Sequence, residues 1–310
     1  MINATYPFVN NTKVLIQKLK EKDKKILARC ITIVENELEN YEELLNSLVF
    51  KKDVPIIGIT GPPGAGKSTL INSIIKQLVS ENKQVGIVAV DPTSPFNFGS
   101  LLGDRLRMSE HFSNENVFIR SLATRGNLGG LSAKIIEVVD VMRAFEFDYI
   151  FIETVGVGQS EVEIAGLADT TVLVLVPESG DEVQTIKSGI MEIADIFIVN
   201  KADRDGAEMF AKNIHDLINS KASGNWTPPV IKTVATRNEG VSEIIKNIEK
   251  HRKSEVNSKQ VYLFAEKAYR LIQNERMKNI NKQELQVQIE KTMKKKDFNL
   301  YSFVKEWTKK

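Results

Sequence analysis

The sequence predicts an α/β fold with a mostly parallel central sheet flanked by helices, plus a helical arm at each end. Three observations predict it. Between residues 53 and 250, short apolar runs alternate with amphipathic stretches, as in a parallel sheet whose crossover helices cover both faces. One of those runs, Ile56–Thr60, leads directly into Gly61-Pro62-Pro63-Gly64-Ala65-Gly66-Lys67-Ser68-Thr69, the G-x-x-x-x-G-K-[ST] loop of the P-loop NTPase fold. Residues 11–52 and those after 251 carry apolar positions at helical spacing only. The expected organisation is therefore an N-terminal helical arm over 1–52, a nucleotide-binding domain over 53–250 and a C-terminal helical arm over 251–310.

In the N-terminal arm, Val14, Leu15 and Leu19, then Ile26, Leu27, Ile31, Val34 and Leu38, then Tyr41, Leu44, Leu45 and Leu48 fall on helical faces, which predicts two or three helices packed on another element. Seven apolar runs predict strands at 56–60, 85–90, 117–121, 149–154, 171–176, 196–200 and 230–234. After the phosphate loop, Leu70, Ile71, Ile74, Ile75 and Leu78 share one face, so a helix begins there. Leu131, Ile135, Val138, Met142 and Phe145 predict another over 131–145. In the C-terminal arm, Val261, Phe264, Ala268, Leu271 and Ile272 form one stripe and Leu285, Ile289 and Met293 a second. The run Lys294-Lys295-Lys296 reads as a solvated helix end.

Composition narrows the function classes. A net charge of +2 over 310 residues argues against a dedicated nucleic-acid binder. The single cysteine, Cys30, rules out an intramolecular disulfide and any cysteine-based metal site. No apolar run has the length of a membrane span, and no signal-peptide core stands at the start, so a cytoplasmic protein is expected. His111, His215 and His251 lack ligand spacing and read as surface or packing residues.

The phosphate loop carries the first chemistry. Gly61, Gly64 and Gly66 allow the backbone to turn so that successive N–H groups converge on a polyphosphate. The following helix adds its N-terminal partial charge. Lys67 is placed to reach the β- and γ-phosphates, and the Ser68 hydroxyl to ligate Mg²⁺. A second motif, Asn200-Lys201-Ala202-Asp203, ends an apolar run. A guanine ring offers two adjacent N–H donors, which one carboxylate at Asp203 accepts together; adenine would leave that carboxylate unpaired. The motif therefore points to GTP, with Lys201 lying along the base and Val234-Ala235-Thr236 as a second base-contacting loop.

Two further stretches carry carboxylates. The run 149–154 ends at Glu153, with Gly156 three residues on, where small GTPases have Asp-x-x-Gly. Glu153 is expected to hold Mg²⁺ through water and the Gly156 N–H to meet the γ-phosphate. Gln159 is a weaker candidate for positioning a water. Asp91 ends a strand next to the phosphate loop, the correct sheet edge for ligand contact. Asp104 lies in the loop that follows, as a ligand of Mg²⁺ or its waters or equally as a helix N-cap. Arg105 and Arg107 are candidates to bring charge to the transition state.

Taken together, residues 61–69 (GPPGAGKST), 90–108 (VDPTSPFNFGSLLGDRLRM), 153–161 (ETVGVGQSE), 176–189 (VPESGDEVQTIKSG) and 200–203 (NKAD) resemble the MeaB/ArgK family of P-loop GTPases. The resemblance implies that Ser68, Asp91, Asp104 and Glu153 order Mg²⁺ and that 153–161 is a switch sensing the γ-phosphate. It also implies that 177–189, with Lys187, reports nucleotide state to a partner, and that the C-terminal helices form a homodimer contact. The implied partner is an adenosylcobalamin-dependent acyl-CoA mutase, methylmalonyl-CoA mutase foremost, with a cobalamin adenosyltransferase as a second candidate. Asn97-Phe98 stands where relatives often have two small residues, and Val234-Ala235-Thr236 departs from the family's Ser-Ala-x.

The reading is a Mg²⁺-dependent GTP hydrolase, GTP and GDP being its nucleotides, that gates cofactor loading or protection of that mutase. Three other readings stand beside it. A metal-insertion GTPase of the hydrogenase or urease maturation type needs Cys/His sites that one cysteine and three dispersed histidines do not supply. A nucleotide-gated interaction module would bind GTP with negligible hydrolysis. An ATP-dependent transport kinase would prefer adenine.

Overall fold

The computed structural model describes residues 11–91, 108–123, 134–154, 164–178, 190–221, 226–254, 258–294 and 298–308. The chain forms two compact units, Met1–Phe264 and Ala265–Lys310.

The first unit opens with three helices, α1 (Thr12–Lys20), α2 (Lys24–Glu35) and α3 (Tyr41–Asn46). The side chain of Asn11 caps α1 by accepting from Lys13 N–H, and Asp23 caps α2 by accepting from the N–H groups of Lys25 and Ile26, which satisfies donors left free by the helix geometry. Leu15, Leu19, Leu27, Ile31 and Val34 are buried in one cluster with Val54 and Ile56 at the start of the sheet and with Val138 and Met142 on α5 (Ile135–Ala144). Each such side chain, fully buried, stabilises by about 1.5–3 kcal/mol, so α1–α3 are anchored to the sheet's core. Cys30 is wholly buried, and burial pushes its thiol up to about 12; it serves as a small core residue.

The sheet has seven strands: β1 (Ile56–Thr60), β2 (Val85–Asp91), β3 (Val117–Ala123), β4 (Tyr149–Glu153), β5 (Thr170–Leu175), β6 (Ile196–Asn200) and β7 (Val230–Thr233). Their order is β3-β2-β4-β1-β5-β6-β7, and every pairing is parallel. All seven runs predicted as strands are strands. They read as continuous apolar runs because helices cover both faces; every residue of β1, β4, β5 and β6 is buried. The helix expected over 131–145 is α5 within its described part. Among the described residues, the further helices of this unit are α4 (Lys67–Ser80), α6 (Ile190–Ile193), α7 (Ala207–Lys221) and α8 (Val241–Ser254).

Strand order corrects one expectation. β2 is not the neighbour of β1: β4 lies between them, with Glu153 opposite Ile59 on one side and Ala89 on the other. Asp91 thus stands one strand further from the phosphate loop than its sequence position suggests. Because all strands are parallel, the C-terminal ends of β1, β2, β4, β6 and β7 nevertheless meet at one edge, where α/β sheets bind ligands.

α9 (Ser258–Met277) begins in the first unit and ends in the second, which also holds α10 (Lys282–Met293) and α11 (Leu300–Trp307). Asn281 and Asn299 cap the last two. Neither α10 nor α11 has a buried residue, and Val287, Met293, Leu300, Tyr301 and Val304 are exposed. Among the described residues no helix is long and apolar enough to cross a membrane.

Candidate nucleotide site

The phosphate loop owes its shape to two glycines in particular. Gly61 has φ +141°, and a Cβ there would stand 2.1 Å from the carbonyl oxygen of Val174 on β5. Gly66, φ +86°, is the N-cap of α4, and a Cβ would stand 2.5 Å from Asn200 Nδ2. Only glycine allows both the left-handed backbone and these approaches. The loop closes with Ala65 N–H on the Pro62 carbonyl at 3.3 Å. Lys67 is buried and donates from Nζ to the carbonyls of Gly61 at 2.8 Å and Pro62 at 3.0 Å. Its ammonium is thereby folded over the loop.

Behind Lys67, the Ser68 hydroxyl donates to Glu153 Oε1 at 2.6 Å, and both residues are buried. The ends of β4 and β1 are locked together beside them: Thr154 N–H donates to the Ile59 carbonyl at 3.1 Å, and the hydroxyls of Thr154 and Thr60 lie 3.1 Å apart. A hydroxyl and a carboxylate are hard oxygen donors, suited to Mg²⁺ and poorly suited to soft metals. Among the described residues no group of three or more His, Cys, Asp or Glu side chains gathers to hold a metal ion. Mg²⁺ needs no such cage, because it keeps waters and takes its other ligands from phosphate.

Asn200, at the end of β6 and 2% exposed, ties the two halves of the site together. Its Nδ2 donates to the Ala65 carbonyl at 2.8 Å, while its Oδ1 accepts from Thr233 Oγ1 at 3.1 Å and from Ala235 N–H at 3.3 Å. The Ala235 carbonyl in turn accepts from Ser73 Oγ of α4 at 2.6 Å. The phosphate loop, β6, β7 and the turn after β7 are thus hydrogen-bonded through one buried amide. Beside it lies a cavity of about 200 Å³ lined by Gly66, Thr69, Asn200, Lys201, Asp203, Arg204 and residues 234–236. Lys201 takes a left-handed backbone, φ +56°. Asp203 is partly exposed and accepts from Arg237 Nη2 at 3.1 Å.

Most of the expected site residues therefore converge: 61–69, Glu153, 200–203 and 234–236 surround one edge of the sheet. Of Asp91 the backbone alone is described; it ends β2 at this edge, opposite Ala123. Asp104, Arg107, Gly156, Gln159 and Lys187 lie outside the described residues.

Sequence reasoning did not single out Ser73, Arg237 or Arg204. Arg204 pairs with Glu178 just after β5, and that hydrogen bond holds the Glu178 carboxyl below its ordinary value. Arg237 and Arg204 left a faint signal in being next to the two base motifs; Ser73, nearly two turns into an apolar helix, left none. The histidines play no part here. His251 is buried at the opposite sheet edge, its Nδ1 2.9 Å from Thr170 Oγ1 and its Nε2 3.4 Å from Asp195 Oδ1. Burial lowers the pKa of His111, and His215 is exposed.

An all-parallel sheet with a glycine loop at the end of its central strand, a Ser–carboxylate pair behind it and an Asn-Lys-x-Asp pocket beside it defines a P-loop GTPase. Comparison with known proteins agrees. The chain belongs to the MeaB family: residues 27–294 match the family described as methylmalonyl Co-A mutase-associated GTPase MeaB. A relative from Pyrococcus abyssi is 51% identical over 243 residues, covering 77% of this chain and 75% of its own. The GTPase ArgK of Escherichia coli is 34% identical over 241 residues, 74% of this chain and 72% of its own. Among solved structures, one described as a LAO/AO transport system kinase has a TM-score of 0.68 over 97% of this chain and 98% of its own, at 23% identity; the likeness is one of fold.

Proposed function

We propose that this GTPase is a Mg²⁺-dependent chaperone that gates cofactor loading or protection of an adenosylcobalamin-dependent acyl-CoA mutase, methylmalonyl-CoA mutase foremost. A single observation carries the nucleotide half of this reading: Asn200 holds the Ala65 carbonyl and the turn at Ala235 at a fixed spacing, so one GTP reaches both the glycine loop and Asp203. The family description, which links these GTPases to methylmalonyl-CoA mutase, supports the partner.

In this reading the amides of residues 61–69 cradle the phosphates, and Lys67 exchanges its two carbonyl partners for β- and γ-phosphate oxygens. Ser68, Asp91, Asp104 and Glu153 would hold Mg²⁺, which would supply positive charge to the phosphates. Asp203 accepts the two guanine N–H donors, with Lys201 along the ring and residues 234–236 against its other edge. A water attacks the γ-phosphorus in line, the bond to the β–γ bridging oxygen breaks, and GDP leaves with the electron pair. Lys67 and the loop amides meet the charge that develops, Arg107 adds to it, and the Gly156 N–H senses loss of the γ-phosphate. The C-terminal helices pair two copies of the chain, which would cover the apolar side chains that α10 and α11 expose.

Single-turnover GTP hydrolysis, with and without methylmalonyl-CoA mutase, tests the reading. Acceleration by the mutase is expected. No acceleration by any adenosylcobalamin-dependent acyl-CoA mutase would overturn the chaperone role. Asp203→Asn should shift preference from GTP towards xanthosine triphosphate, whereas a GTP preference kept by the variant, or an ATP preference in the wild type, would overturn the guanine assignment.

A further inference from the structure

We infer that Arg237 is a positioning residue for guanine selection, acting by holding the carboxylate of Asp203 towards the base cavity. The inference rests on Asp203 being the guanine acceptor.

The two side chains come from different loops whose backbones are separately pinned. Asp203 follows Ala202, whose N–H donates to the Thr233 carbonyl at 3.0 Å, and the Arg204 N–H closes the loop on the Lys201 carbonyl at 3.0 Å. Arg237 ends the turn Ala235–Arg237. That turn is held by Arg237 N–H on the Val234 carbonyl at 2.9 Å, by Asn238 with a left-handed φ of +58°, and by a reciprocal pair of 3.3 Å bonds between Val234 and Glu239. Ser73 and Asn200 grip its first residue from the other side. Arg237 is thus presented from a fixed backbone, and its guanidinium spans two carboxylates: Nη2 to Asp203 Oδ2 at 3.1 Å and Nη1 to Glu239 Oε1 at 3.7 Å.

An exposed ion pair contributes little to stability, partly because two long side chains must be ordered. Here the backbone that presents Arg237 is pinned by the turn, so the pair acts on the rotamer of Asp203. Asp203 is 38% exposed; without a partner it would be free to turn to solvent, away from the cavity it lines. Engagement of Oδ2 does not block the base, because each carboxylate oxygen offers two acceptor sites. A planar fork suits this two-sided contact better than the point charge of lysine.

The test is the dissociation constant of the full chain for GDP and for inosine diphosphate, which lacks the 2-amino donor. Wild type should prefer GDP by about tenfold, the weight of one charge-assisted hydrogen bond. Asp203→Ala should remove that preference. Arg237→Met should reduce it by about two- to threefold, and Arg237→Lys should restore part of it. All variants should keep the wild-type unfolding midpoint, and 1 M salt should bring wild type towards Arg237→Met. If Arg237→Met keeps the full preference while Asp203→Ala loses it, the role of Arg237 is overturned. If Asp203→Ala also keeps it, the guanine assignment of Asp203 falls instead, and the inference with it.

Discussion

Asn200 Nδ2 donates a 2.8 Å hydrogen bond to the Ala65 carbonyl, across 135 residues of sequence. The same amide accepts from Thr233 and Ala235 through Oδ1. One buried side chain therefore sets the distance between the loop for phosphate and the pocket for the base, and no other residue type supplies a donor and an acceptor in that geometry. Asn200→Ala should leave these buried partners unmatched, costing about 3 kcal/mol and weakening GDP binding at least as much. Urea unfolding midpoints and a GDP titration check it; unchanged values in both would contradict this role.

Ser68 and Glu153 make a second long-range contact, at 2.6 Å. Ser68→Ala should raise the Mg²⁺ concentration needed for half-maximal turnover by about tenfold or more, with GDP affinity in EDTA little changed. Glu153→Gln keeps an acceptor for the serine but loses the charge, so it should show the same Mg²⁺ phenotype with near-normal stability. A Mg²⁺ titration of the hydrolysis rate separates this from a purely structural pair.

Gly61 and Gly64 form a paired test of the loop. Gly61→Ala places a methyl group 2.1 Å from the backbone oxygen of Val174, which the buried strand β5 has no room to concede. It should destabilise by roughly 4 kcal/mol or prevent folding, at the severe end of single substitutions. At Gly64 a Cβ meets nothing within 4 Å, so alanine should cost only the left-handed backbone, about 1–2 kcal/mol. Thermal unfolding of the two variants compares them directly.

Asp148 predicts a pH dependence. Burial raises its pKa, but the hydrogen bond from Lys52 and that from Gln84 N–H, each 2.7 Å, outweigh it and hold the carboxyl below its ordinary value of 3.8. A carboxyl depressed on folding contributes stability that is present above its unfolded pKa and lost as pH falls through the folded one. Wild type should therefore lose stability relative to Asp148→Asn between about pH 5 and pH 2. Equal slopes for the two proteins in urea titrations across that window would refute the assignment.

Much of the fold is legible in the sequence. The seven apolar runs became seven strands because a sheet buried on both faces demands uninterrupted apolar sequence, and the glycine loop was readable because its residue types are dictated by backbone geometry at a phosphate site. Strand order was not legible. β4 inserts between β1 and β2, a matter of which crossover leaves a gap and which strand fills it, and nothing local to residues 149–153 encodes that. Ser73 was likewise invisible and Arg237 only faintly marked by its place beside a base motif, since an interior helix serine and a turn arginine gain their meaning from partners at 235 and 203.

By itself the sequence determined the class of protein, a P-loop GTPase, and the identity of its phosphate and base motifs, because these depend on residue type at short spacing. Tertiary structure alone decided that Asn200 joins those motifs, that Ser68 meets Glu153, and that Arg237 meets Asp203. Each of those contacts spans tens to more than a hundred residues, and only the register of parallel strands at one sheet edge brings the partners within hydrogen-bond reach.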